Sequence, residues 1–226
     1  MADIKDHKRV NDIFLGPLER PALQWLAAHA PGWVTPDIMT ITGIFGALVI
    51  TIGYGLSQFH PAFLWLSTLG FIINWFGDSL DGTIARYRHI ERPKYGFYID
   101  HVSDVLTEII IILGLGLTPY IRFSIASMLC IAYIAMSVLV YVRMNVMGEF
   151  KISYGKLGPT EVRLLAIILN TGMFFGGIFS FKFSVGSFPA FVTPYELYVI
   201  GIILLLIYFF ATTAVKQSIE LRNLGE

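Results

Sequence analysis

Six stretches of this chain are each long and apolar enough to cross a bilayer, roughly residues 38–57, 61–80, 98–117, 121–142, 163–181 and 195–215. That pattern limits the fold before any motif is considered. A spanning helix takes about 20 mostly apolar residues. Inside hydrocarbon every backbone polar group must find its partner within the protein, which a helix achieves within its own segment. Hydrophobic residues fill 55% of the 226 positions and charged ones 14%, with a mean hydropathy of +0.67. A soluble core of this length does not need so much apolar surface. The expectation is an all-α, multi-pass integral membrane protein. It has an interfacial segment over 1–34 and a six-helix domain over 35–226.

Residues 11–33, "NDIFLGPLERPALQWLAAHAPGW", are interrupted by Pro17, Pro21 and Pro31 and cannot span. Ile13, Phe14, Leu18, Leu23, Trp25 and Leu26 alternate with Glu19 and Arg20, the composition of one or two short amphipathic helices lying in the interface. Trp25 and Trp33 suit the headgroup level. The stretch does not read as the basic leader of a signal peptide. Thr35 is placed to cap the first spanning helix, with Pro36 in its first turn.

The net charge is zero, yet the cations are unevenly placed. With the N-terminus in the cytoplasm, 14 of the 16 Lys and Arg fall on that side, among them Lys5, Lys8, Arg9, Arg86, Arg88, Arg92, Lys151 and Lys156. Only Arg122 and Lys182 fall opposite. The positive-inside rule then puts both termini in the cytoplasm, in the cell inner membrane if the source is prokaryotic. The single cysteine, Cys130, sits mid-segment and reads as a packing residue, so disulfides play no part.

Against this apolar background, Asp78, Asp81, Asp100, Asp104 and Glu108 stand out. Ionisable groups at membrane depth are costly and usually mark function. Asp78 and Asp81 are three apart near the end of the second segment; Asp100 and Asp104 are four apart near the start of the third. Both spacings place a pair on one helix face. The segments run antiparallel through a loop at 87–96, so the pairs can meet at one depth. Four converging carboxylates repel one another unless countercharge is supplied. Hard divalent cations supply it, and Mg2+ takes carboxylates together with substrate phosphates. Two such ions, with Mn2+ as a substitute, would employ all four acids and clamp a displacement at phosphorus. Gly82, Ala85 and Gly96 leave room beside that site, and Arg86 stands at its rim to meet an anion.

Read as D-x2-D-G-x2-A-R-x9-G-x3-D-x3-D, positions 78–104 resemble the signature of the CDP-alcohol phosphotransferase family. The "TPDIMT" that opens the first span resembles the family as well; the nine residues between Arg86 and Gly96, where eight is commonest, are a loop change. The resemblance implies transfer of a phosphoalcohol group, most often phosphatidyl from CDP-diacylglycerol, to an acceptor hydroxyl with release of CMP in phospholipid biosynthesis. It implies that Asp78, Asp81, Asp100 and Asp104 bind metal and that Asp104 also serves as base. Asp78, Gly82, Ala85 and Arg86 would contact the nucleotide, joined by Thr35, Pro36 and Asp37. The implied partners are a CDP-linked donor, a hydroxyl acceptor, membrane lipid and a second copy of the chain. No nucleic-acid partner is expected.

His101 repeats an Asp-His step found in the amino-alcohol branch of the family, yet its helical position suits packing or hydrogen bonding first. Glu108 continues the 100–104 face, suited equally to the acceptor and to an interhelical hydrogen bond. In the loop 143–163, Arg143, Thr160, Glu161 and Arg163 are candidates for an acceptor pocket, against the simpler reading of a positive-inside loop. Asn170 reads as an interhelical hydrogen bonder. Intramembrane prenyltransferases share paired Asp motifs and Mg2+ but lack the D-G-x2-A-R core. An ion-coupled transporter would spread its acids along a path rather than gather them at one edge.

Overall fold

The computed structural model describes residues 8–10, 14–147, 149–151, 158–185 and 188–223. Lys5, Ile13 and Lys156, invoked above, lie outside them, as do residues 148 and 152–157 of the 143–163 loop. In chain order the elements are β1 (Lys8–Val10), α1 (Gly16–His29), α2 (Pro36–Leu56), α3 (Phe63–Tyr87), α4 (Pro93–Leu115), α5 (Phe123–Met147), β2 (Glu149–Lys151), α6 (Pro159–Gly176), β3 (Phe181–Val185), β4 (Phe188–Val192) and α7 (Pro194–Asn223). β1 pairs in parallel with β2, and β3 with β4 as an antiparallel hairpin.

Each of the six apolar segments forms a helix. Three of them, Pro36–Leu56, Phe123–Val146 and Pro194–Asn223, are long and apolar enough to cross a membrane by length and composition. The others, α3, α4 and α6, hold the five acids and Arg163. α3 runs past residue 80 to Tyr87, so Asp78 and Asp81 lie inside the helix rather than at its end. α6 starts earlier and stops sooner than the segment 163–181. It opens with Pro159 and ends at Gly177, whose φ of 66° is a left-handed conformation that glycine adopts without strain. Residues 181–185 and 188–192, rich in aromatic side chains, then pair as antiparallel strands. Among its described residues the N-terminal segment holds one helix, α1, with Pro17 at its start where a missing N–H does no harm.

α2 is the hub. Its closest partner is α3, and the two meet through glycines: Gly43, Gly46 and Gly53 on α2, Gly70 and Gly77 on α3. A Cβ at Gly77 would run into the backbone of Gly43, and one at Gly46 into that of Asn74. The absent side chains let two backbones approach closely, the usual small-residue solution for helices in lipid. α4 also packs on α2, and the principal contacts do not include α3 with α4. A gap therefore opens between α3 and α4, floored by α2.

Polar contacts define two ends. At one, Arg88 donates to Ala30, Pro31 and Val34 carbonyls, Arg92 pairs with Asp37, and α6 begins beside α3. At the other, Gln58 donates to the Leu117 carbonyl, and Glu196 accepts from the Arg122 guanidinium at 2.7 Å. An apolar core around Ile50, Tyr54, Leu64, Phe71, Met173 and Val199 fills the far end. A smaller one, with Leu23 and Ala27 of α1 on Leu80 and Ile84 of α3, seats α1 at the acidic end.

Candidate active site

The gap between α3 and α4 is lined by Thr40, Gly43, Ile44, Asn74, Asp78, Asp81, Asp100, Ser103, Asp104 and Thr107. Within it, Asp78, Asp100 and Asp104 each offer a carboxylate oxygen within 4.8 Å of the other two, and Asp104 lies in hydrogen-bonding reach of Asp78. The helical spacing read from the sequence accounts for this: Asp100 and Asp104 share one face of α4, and Asp78 meets them from α3.

Asp81 lines the same gap but is held differently. One carboxylate oxygen accepts from Thr40 Oγ1 of α2 at 2.8 Å and the other from the backbone N–H of Gly82 at 2.5 Å. Asp78 Oδ2 accepts from Arg163 Nη2 of α6 at 2.5 Å, while Arg163 Nε donates to Asn74 Oδ1 at 2.9 Å. Asn74 passes the connection on, donating to the Gly43 carbonyl at 2.9 Å. One guanidinium thus ties an acid of the cluster to the floor of the gap.

Two like charges about 4.8 Å apart repel by roughly 3 kcal/mol at an effective dielectric near 20. Three such pairs exceed what Arg163 alone offsets. The donors are all carboxylate oxygens, gathered at the separation that a bound ion spans. This set suits a hard cation such as Mg2+ and not a soft one.

The remaining expected residues are not among those that line the gap. Thr35 caps α2, accepting from Ile38 N–H at 3.3 Å, with Pro36 as the first helical residue. Asp37 pairs with Arg92, whose guanidinium also lies 4.3 Å from the Tyr95 ring centre. The group that approaches the backbone at Gly82 is the Arg86 guanidinium: a Cβ there would stand 3.1 Å from Arg86 Nη1. Ala85 is half-buried one turn after Asp81, and a Cβ on Gly96 would meet open space.

His101 stacks on Phe97 at 4.0 Å, bonds through Nδ1 with the Phe97 carbonyl at 2.9 Å and approaches Tyr141 of α5. These contacts are of the packing and hydrogen-bonding kind. Glu108 reaches Tyr133 of α5, a bond between helices, and Arg163 is also near it. Asn170 bonds Tyr54 at 3.0 Å and Thr68 at 3.3 Å, joining α6 to α2 and α3 as its mid-helix position suggested. Of the four residues offered for an acceptor pocket, Arg163 turns to the acids, whereas Thr160 and Glu161 bond to α1.

Sequence reasoning passed over Thr40, Ser103 and Thr107 as site residues and gave Glu19 no role beyond amphipathicity. A signal existed for the first three: hydroxyls within otherwise apolar helices, one turn from an acid or a cap. None existed for Arg163 meeting Asp78, because nothing local links residues 85 apart.

The family model described as CDP-alcohol phosphatidyltransferase matches residues 33–212. The chain belongs to the CDP-alcohol phosphatidyltransferase family. The match takes in α2 to α6 and most of α7, and therefore every residue of the acidic gap. Cholinephosphotransferase 1 of Homo sapiens is similar, 26% identical over 170 residues that make up 71% of this chain and 42% of that protein. The chain thus aligns with less than half the length of that relative. Membership in the CDP-alcohol phosphatidyltransferase family also separates the chain from prenyltransferases and transporters. Together with the three apolar helices it marks an integral membrane protein.

Proposed function

We propose that this protein transfers a phosphoalcohol group from a CDP-linked donor to an acceptor hydroxyl, releasing CMP, as a step in phospholipid synthesis. The observation that carries the reading is the meeting of Asp78, Asp100 and Asp104 within 4.8 Å, inside the region matched by the family. In this reading all six apolar helices cross the membrane and α1 lies in the interface. Both termini and the acidic gap face the cytoplasm, and two copies form a homodimer.

Asp78, Asp81, Asp100 and Asp104 would hold two Mg2+ ions. When bound, these neutralise the donor's diphosphate and stabilise the charge on departing CMP. Arg163 keeps Asp78 turned into the gap, and Thr40 does the same for Asp81. Gly82, Ala85 and Arg86, with Thr35, Pro36 and Asp37, receive the nucleotide. Asp104 accepts the proton of the acceptor hydroxyl. That oxygen bonds to the phosphorus carrying the alcohol as the bond from this phosphorus to the CMP oxygen breaks, and the electron pair leaves with CMP.

CDP-diacylglycerol is the donor favoured by the family's commonest chemistry. A second reading, a CDP-amino-alcohol donor with a lipid-borne hydroxyl as acceptor, is supported by the likeness to a cholinephosphotransferase and by the Asp100-His101 step. Purified protein with Mg2+ should release CMP either from CDP-diacylglycerol with water-soluble alcohols or from CDP-choline with diacylglycerol. Activity in one arm alone assigns the donor. Silence in both, with no metal-dependent binding of CDP compounds, would sink the proposal.

A further inference from the structure

We infer that the clasp between α1 and the first turn of α6 is a positioning device for the acid cluster, with Glu19 as its central residue; this rests on the metal-binding reading above. Glu19 is a half-buried carboxylate on α1. Its Oε1 accepts three hydrogen bonds, from Trp75 Nε1 at 2.8 Å, Ser79 Oγ at 3.2 Å and Thr160 Oγ1 at 2.9 Å. α6 answers with a carboxylate of its own. Glu161, only 6% exposed, accepts the backbone N–H of Leu15 at 2.8 Å through Oε1 and that of Gly158 at 2.9 Å through Oε2. Two acids thus fasten the starts of α1 and α6 to each other, and Glu19 fastens both to α3.

The consequence reaches the cluster through Arg163. This residue follows Thr160 by three positions, so the two share a face of α6. On α3 the arrangement is matched. Trp75 and Ser79 donate to Glu19, while Asn74 and Asp78, each one residue earlier, accept from Arg163. α6 is therefore pinned to α3 by two adjoining polar crosslinks, one of which ends on an acid of the cluster. Removing the Glu19 carboxylate leaves three donors without their acceptor and loosens the turn that sets where Arg163 meets Asp78. α1 precedes the matched region, residues 33–212, so this residue acts on the shared domain from outside it. Its role is positioning, since it touches neither the gap nor the acids.

The test uses the full chain in detergent, Mn2+ binding followed by electron paramagnetic resonance without any donor, and thermal unfolding. Glu19→Ala and Thr160→Val should each weaken Mn2+ binding by roughly tenfold, the scale on which outer partners of metal ligands act. Glu19→Gln and Thr160→Ser should restore it to within about threefold of wild type, because an amide oxygen still accepts and a serine hydroxyl still donates. Mn2+ binding unchanged in both disruptive variants overturns the inference, whatever happens to the unfolding temperature. If Glu19→Ala does not fold, Thr160→Val, which deletes one hydroxyl, decides alone. A wild-type protein that binds no Mn2+ shows instead that the metal reading has failed, and the positioning role falls with it.

Discussion

Asp104, an acid of the cluster, and Arg163, its countercharge at Asp78, have opposite duties, and substitution separates them. Asp104→Asn keeps shape while removing the proposed proton acceptor and one proposed anionic ligand. CMP release should fall by at least about a hundredfold, with CDP binding measured by calorimetry reduced far less. Unchanged turnover would show that the base is another group. Arg163→Lys keeps a charge but loses the fork that spans Asn74 and Asp78. Turnover should drop by roughly tenfold, while Arg163→Ala, which leaves Asp78 and Asn74 without their donor, should lose more. A lysine variant with wild-type kinetics would mean that the two-point contact is dispensable. The acids were legible from spacing alone because helical periodicity is local information. Their countercharge was not: Arg163 lies on a helix whose packing against α3 depends on tertiary contacts no local pattern encodes.

At the level of helices, the α2–α3 seam sets the width of the gap. Gly77 has no space for a Cβ beside Gly43, whereas a Cβ on Gly55 would meet nothing within 4 Å. Gly77→Ala should therefore destabilise by about 1–3 kcal/mol, the usual penalty of overpacking. Gly55→Ala should be neutral or stabilising by up to about 1 kcal/mol through helix propensity. Unfolding temperatures of the two variants in one detergent give the comparison, and equal effects would contradict the seam. Six helices were legible because an apolar run of spanning length has few alternatives. The details that escaped were those set by context. α3 continues as a polar extension to Tyr87, Gly177 ends α6 early, and β3 pairs with β4 in a stretch to which the apolar pattern assigned no element beyond residue 181. The neighbourhood of α3 and α4 was also legible only in part. The loop implied that they adjoin, while α2 packs on both, through its glycines against α3 and through Thr51 against Gly114 of α4.

Over the whole molecule, the proposed six crossings put the Lys182 hairpin on one side of the membrane and the end of α7 on the other. Cys130 is buried on α5 and is the chain's single cysteine, so replacing it with alanine gives a clean background for labelling. In sealed vesicles, cysteines introduced at Lys182 and Arg222 should react with an impermeant thiol reagent from opposite sides. Labelling of both from one side would refute the topology. The proposed arrangement matters chemically because it would bring the acidic gap, the cations around it and α1 to one membrane edge, where a lipid substrate and a water-soluble one can both arrive. The decisive measurement is CMP release by the purified protein, supplied with Mg2+ and the two donor-acceptor pairs, CDP-diacylglycerol with soluble alcohols and CDP-choline with diacylglycerol. CMP should form in one arm, vanish on chelation of the metal and vanish again in Asp104→Asn. CMP formation that persists without divalent metal, or no CMP from folded protein in either arm, would contradict a metal-dependent phosphoalcohol transfer at these four aspartates.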